Sequence, residues 1–291
     1  MTALSGLRVV ELANERIAFA GKLMADMGAD LILVEPPGGD PSRDYPPFLD
    51  NKPGPDRSLY WWHYHTSKRA MVLDLEDPDG AKTFRKLIAT TDVLIEAEPR
   101  DRLANFQLDY ANLSEIKPDL IHIAVTTHGR NDPRSDLPAT DLTIMATSGP
   151  PWSCGYDDHS LPPIRGPLQG YQTASHFAYM SALTALLHRG VSGEGQFIDV
   201  SMTAASNVST EAATYSWLVA QKTVQRQTGR HASVSPSGET QQLCADGRYA
   251  NTGVPPTAIA AAAWSWVEKI LHDAQRTLAP SACNVSMSTA V

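Results

Sequence analysis

Residues 7–41 read LRVVELANERIAFAGKLMADMGADLILVEPPGGDP, and this stretch decides the fold. Two short apolar runs, residues 7–12 and 30–35, bracket a segment in which Ala20, Leu23, Met24 and Met27 recur at helical spacing, with Gly28 as its stop. The spacing predicts a helix over about 17–27 between two strands. Both strands are apolar almost throughout, the mark of a parallel sheet covered on both faces. The prolines and glycines of residues 36–41 then force a loop.

The same unit recurs outward from there. Residues 71–75 predict a third strand, and Asp77-Pro78 caps a helix running to about residue 88, with proline tolerated in the first turn. Residues 92–96 and 120–125 predict two more strands, separated by a helix-prone stretch around 112–117. A short helix is expected over 141–147 and a largely buried one over 173–188, broken by Gly193-Glu194-Gly195-Gln196. A last strand falls at 197–200, and a long helix is expected from 203 to about 225. From about 227 the chain is Gly-, Ser- and Thr-rich, with one hairpin signal at Asp246-Gly247, an alanine run over 260–263 and an aperiodic, loose end over 279–291. The fold class is α/β. Its predicted parts are a large domain over 1–202, a helical linker over 203–235, and a partial small domain with a tail over 236–291.

Composition narrows the function. The 291 residues carry 24 Lys+Arg against 32 Asp+Glu, a net charge of -8, which leaves no basic field to hold a nucleic acid or an anionic membrane surface. Three cysteines, Cys154, Cys244 and Cys283, form no C-x-x-C pair, which argues against a disulfide framework or structural zinc and for a reducing, cytoplasmic setting. No run reaches the apolar length of a membrane span, and Glu11, Glu15 and Arg16 interrupt what a signal peptide would need as its core.

Known motifs are missing where they would count. The turn after the first strand is Ala13-Asn14-Glu15-Arg16, with no glycine to admit a pyrophosphate and a carboxylate to repel one. Neither G-x-S-x-G nor H-E-x-x-H occurs. Of His63, His65, His159, His176 and His188 only the first two are close, so no metal site is expected. Residues 60–65, YWWHYH, suit either an aromatic ligand wall or core packing. Lys68 and Arg69 place two cations at a sheet end, where a ligand phosphate or plain solvent would suit them.

Several of these segments, in this order, resemble the class III coenzyme A transferases, the CaiB/BaiF family. The resemblance lies in residues 7–12, 21–30 and 34–43, in Ser67-Lys68-Arg69 leading to Val72-Leu73-Asp74-Leu75, in Pro138-Ala139-Thr140-Asp141, and in Gly193-Glu194-Gly195-Gln196 through Met202. It implies a Rossmann-like large domain, a smaller domain, and two chains interlocked as a dimer. It also implies that an aspartate attacks an acyl-CoA thioester to give a mixed anhydride, splitting one hard step into easier ones. Coenzyme A and a carboxylic acid are then the substrates, and no metal is involved. The resemblance places CoA near Glu15, Arg16, Lys68, Ala97, Glu98, Asn105 and Asp141.

Counting back from Gly193 without gaps puts Tyr171 in the nucleophile's slot. A phenol, with its pKa near 10, cannot stand in for that carboxylate. The glycine expected one turn further on is Ser175, and the histidine a racemase relative would use is replaced by Ala139. The sequence therefore resembles a family subunit of a homo- or heterodimer, and in the heteromeric case the partner chain supplies the aspartate. The alternatives are a relocated carboxylate, with Asp157 and Asp158 as candidates, and a non-catalytic chain. The resemblance fades after residue 256, which would fit a truncated or frame-shifted end.

Overall fold

A computed structural model of the chain describes residues 2–54, 56–156, 167–228, 230–236, 241–243 and 246–251, with 265, 268, 269 and 272. Its strands are β1 (Arg8–Leu12), β2 (Asp30–Glu35), β3 (Arg69–Val72), β4 (Val93–Glu96), β5 (Ile121–Thr126) and β6 (Gln196–Ser201), then β7 (Gln225–Gln227), β8 (Arg230–Ser233), β9 (Gln241–Leu243) and β10 (Tyr249–Asn251). The helices are α1 (Ala18–Asp26), α2 (Leu59–His65), α3 (Pro78–Ile88), α4 (Arg102–Asn105), α5 (Tyr110–Ile116), α6 (Asp141–Ser148), α7 (Pro150–Ser153), α8 (Gln169–Ser192), α9 (Met202–Val208) and α10 (Glu211–Ala220). Two compact units result: Met1–Pro150 with Ile164–Glu211, and Pro151–Pro163 with Ala212–Val291.

The first unit is built on one sheet in the order β3-β2-β1-β4-β5-β6, and every pairing in it is parallel. Period-two alternation sends neighbouring residues of one strand to opposite faces. Val9, Ile95 and Ile123 pack on one face with Met24 of α1 and Ala174, Ala178 and Ala182 of α8. Val10, Leu94 and Leu120 pack on the other with Phe84 and Ile88 of α3 and Leu113 of α5. Both faces are covered, which is why the strands read as continuous apolar runs.

Three predicted elements differ. The third strand is shifted toward the N-terminus, because Leu33, Val34 and Glu35 of β2 pair with Ala70, Met71 and Val72, which leaves residues 73–75 as loop. The YWWHYH segment, for which the sequence named no element, is helix α2: Ser58 accepts from the Trp61 amide at its N-terminus, and Trp61 and Tyr64 are buried. The long helix expected from 203 is two helices. Ser209 Oγ donates to the Ala205 carbonyl and Thr210 Oγ1 to that of Asn207, so hydroxyls compete for the backbone acceptors at the break.

In the second unit β7 and β8 pair antiparallel, as do β9 and β10 on either side of Asp246-Gly247. The Trp152 indole donates to the Val224 carbonyl at 2.8 Å, and the Arg226 guanidinium lies 5.5 Å from the Trp152 ring centre.

Candidate functional site

Strand order reverses between β1 and β4, where chains leave the sheet in opposite directions and open a crevice. A cavity of about 640 Å3 lies there, lined from the ends of β1, β2 and β4 by Glu15, Arg16, Glu35, Asp40, Ala97 and Glu98, among others. Four of the residues singled out in the sequence therefore converge: Glu15, Arg16, Ala97 and Glu98. Lys68 and Asp141 are absent from this lining, and Asn105 lies on a separate hollow with Arg102 and Asp136.

Tyr171 stands at the start of α8, 5% exposed. Burial raises its phenol above the usual value, opposed by a hydrogen bond from Arg16. The same guanidinium donates to the Ala139 carbonyl at 3.0 Å, and Ser175 Oγ donates to the Arg16 carbonyl at 3.3 Å. Arg16 thus ties the turn after β1 to α8. Beside it, burial also raises the Glu15 carboxyl, against the pull of Arg16 and a hydrogen bond from Tyr45.

Asp141 is part of the framework. The first residues of α8 follow Leu168, whose φ of 64° is left-handed and whose side chain offers no cap. Asp141 Oδ1 fills that role from α6, accepting from the Gly170 amide at 2.8 Å and the Tyr171 amide at 3.1 Å. Gly170 allows this approach, since a Cβ there would sit 3.0 Å from the same oxygen.

Lys68 is equally committed. Its Nζ lies 2.9 and 2.8 Å from the two Glu11 carboxylate oxygens and 2.9 Å from the Ala18 carbonyl, with only 1% of its side chain exposed. Burial pushes the Glu11 carboxyl up to about 7 against the opposing pull of Lys68, and burial lowers the Lys68 ammonium against Glu11. His65 Nδ1 stands 3.3 Å from the same Nζ, and its ring stacks on Trp61 at 3.7 Å. Of the aromatic run, His65 and, through it, Trp61 are thereby engaged beside this buried pair, while Trp62 and His63 are exposed.

The sequence reading missed Arg43. It donates to both Glu35 oxygens at 2.7 Å and lies 3.9 Å over the Trp61 ring. Burial would raise Glu35, but these bonds and the Asp40 amide outweigh it and hold the carboxyl below its usual range. The i,i+8 spacing of Glu35 and Arg43 across a proline-glycine loop belongs to no regular element, so periodicity could not pair them. Asp157, Asp158 and His159 lie outside the described residues. Among the described residues no three His, Cys, Asp or Glu side chains gather as a metal site, and no helix is long and apolar enough to cross a membrane.

A doubly wound parallel sheet with a crevice at its switch point defines a class of α/β proteins that place ligands at strand ends. Comparison resolves the class further: the family model for CoA-transferase family III matches residues 4–279, and the chain belongs to that family. It is 35% identical over 247 residues to the succinyl-CoA:(R)-benzylsuccinate CoA-transferase subunit BbsE of Thauera aromatica, covering 84% of this chain and 58% of that one. It is 34% identical over 238 residues to the succinate–glutarate CoA-transferase of Agrobacterium fabrum, covering 80% of this chain and 59% of the relative. The chain thus spans about three-fifths of the length of these curated relatives. A solved CaiB/BaiF family protein from Brucella suis superposes with a TM-score of 0.75 at 27% identity, covering 85% of this chain and 65% of that one.

Proposed function

We propose that this chain is a subunit of an acyl-CoA:carboxylate CoA-transferase in which a second family chain supplies the catalytic aspartate. The reading rests on Tyr171, which by the family resemblance stands where the nucleophile is expected and which is buried, with the nearby Arg16 charge acting on its phenol. Its acyl ester would not be a mixed anhydride, and burial holds the phenol further in its protonated, unreactive form. Support comes also from the Thauera aromatica relative, which is itself a subunit by name. The chain contributes architecture: the sheet, the capped α8 and a surface for the aspartate-bearing chain, as a cytoplasmic heteromer without metal.

The test is transferase activity with succinyl-CoA and a dicarboxylate acceptor, with hydroxylamine trapping and intact-mass measurement of each chain. This chain alone should show no turnover and no adduct. Its co-expressed complex should turn over, with the adduct on the partner's chain. An adduct on Asp157 or Asp158 would replace this reading with that of a relocated carboxylate.

A further inference from the structure

The walls of the switch-point cleft decide which charge can enter it. They carry Glu15, Glu35, Asp40, Asp74, Glu76 and Glu98 against Arg16 and Arg102. Those cations are already engaged. Arg102 lies 3.3 Å from Glu76 and 3.2 Å from Glu98, Arg16 serves Ala139 and Tyr171, and Arg43 behind the wall serves Glu35 and Asp56. Lys68, the cation nearest in sequence to a phosphate role, is sealed against Glu11.

Three backbone donors of the turn are committed as well. In doubly wound folds the turn after β1 and the helix start aim free amides at a phosphate. Here the Arg16 amide donates to Asn14 Oδ1, and the Ile17 and Ala18 amides donate to the Asn14 carbonyl. Asn14 closes the turn on itself. Coenzyme A presents a pyrophosphate and a 3′-phosphate monoester, the latter alone carrying about −1.5 to −2 at neutral pH. A cleft with a surplus of carboxylates, engaged cations and three turn amides already committed to Asn14 does not fit such a polyanion.

We infer that the switch-point cleft of this chain excludes coenzyme A, so that its complex with an aspartate-bearing family chain binds one CoA per pair of chains, in the partner's cleft. The inference rests on the subunit reading above and specifies where substrate resides within it. Charge, not shape, is the excluding property. The phosphate-free fragment pantetheine should therefore discriminate: it meets the same cavity without the repulsion.

The test is equilibrium dialysis of the purified chain against CoA and against pantetheine at matched, low ionic strength, repeated with the doubly substituted Glu76→Lys/Glu98→Gln chain. The wild-type chain should retain no CoA at 1 mM, and the substituted chain should bind CoA at least ten-fold more tightly than wild type with pantetheine unchanged. The purified complex should hold 0.5 CoA per chain. Stoichiometric CoA on the wild-type chain, or one CoA per chain in the complex, would overturn the inference while leaving the subunit reading intact. A substituted chain that keeps the wild-type circular dichroism spectrum and gains no CoA binding would overturn it too. Turnover by this chain alone would instead defeat the subunit reading, whatever the dialysis shows.

Discussion

Lys68 Nζ bridges both carboxylate oxygens of Glu11 beneath α1, at 2.8 and 2.9 Å, with neither side chain more than 1% exposed. A pair taken wholly out of water is sustained by geometry: remove one member and the other remains a desolvated charge. Lys68→Met should therefore destabilise the chain by about 3–5 kcal/mol. The double Lys68→Met/Glu11→Leu chain should recover most of that loss. Urea unfolding of the three proteins checks it, and a double variant no more stable than the single one would refute the pairing argument.

Gly21 depends on the same pair. A Cβ at this position would fall 1.5 Å from Glu11 Oε2 and 3.1 Å from Leu31 Cδ1, so Gly21→Ala must dislodge the carboxylate from Lys68. A loss of about 3 kcal/mol is expected, within the range for overpacking a core. Gly190, inside α8, meets nothing within 4 Å of a built Cβ, and Gly190→Ala should stabilise by about 0.5–1 kcal/mol. Opposite shifts in thermal midpoint are the expected readout.

His65 gives the chain an acid sensitivity of defined sign. Burial, with Lys68 and Arg43 nearby, lowers its pKa from 6.5 to about 2, so between those values the unfolded chain binds the proton and the folded chain does not. Stability from this group is complete above pH 6.5 and lost as the pH falls. Glu11, raised from 4.5 to about 7, acts in the reverse direction: the folded chain holds its proton over that window and gains stability as the pH falls through it. The two slopes oppose each other in the wild type. His65→Phe removes one, and relative to wild type it should gain about 1.6 kcal/mol between pH 6.5 and 5, since the slope of 1.36 kcal/mol per unit is only half developed at pH 6.5. Denaturation at both pH values measures this, and parallel curves would reject it.

Asp141 should prove structural. Asp141→Ala removes the acceptor for the Gly170 and Tyr171 amides and should cost about 1–2 kcal/mol, with Asp141→Asn retaining part of the cap. Equal losses in the two variants would show that the charge, not the acceptor geometry, matters.

Tyr171→Asp places a carboxylate beside Arg16. On the inference that the cleft excludes CoA, this substitution alone should yield no hydroxylamine-trappable adduct with succinyl-CoA. Combined with Glu76→Lys/Glu98→Gln it should. Intact-mass spectra after incubation distinguish the two chains.

What the sequence discloses follows the physics of each element. The strand–helix–strand unit over residues 7–35 was legible because burial on both faces and helical spacing are local patterns, and the observed strands and α1 fall within a residue or two of the expected bounds. The converging set of Glu15, Arg16, Ala97 and Glu98 came from the family resemblance, and the cavity at the strand ends brings it together. Lys68 and Asp141 were expected as ligand contacts from the resemblance, and their partners within the chain were not legible because sequence reports a side chain's charge and not its partner. Glu11 is 57 residues from Lys68, and Gly170 is 29 from Asp141. The register of β3 was missed because residues 69–75 offer two overlapping apolar runs, and only the pairing with β2 chooses between them.

Helix α8 spans 24 residues, about 36 Å of rigid rod at 1.5 Å per residue. It is pinned at both ends: Asp141 grips its first amides, and near its far end Arg189 reaches Asp92 at 2.9 Å and the Asp119 carbonyl at 3.2 Å. Between the pins a line of alanines, Ala174, Ala178, Ala182 and Ala185, lets the rod lie close on the sheet. None of these anchors uses the side chain at 171. The backbone at position 171 is therefore held by its neighbours alone, and what that address presents to the crevice is decided by the side chain it carries.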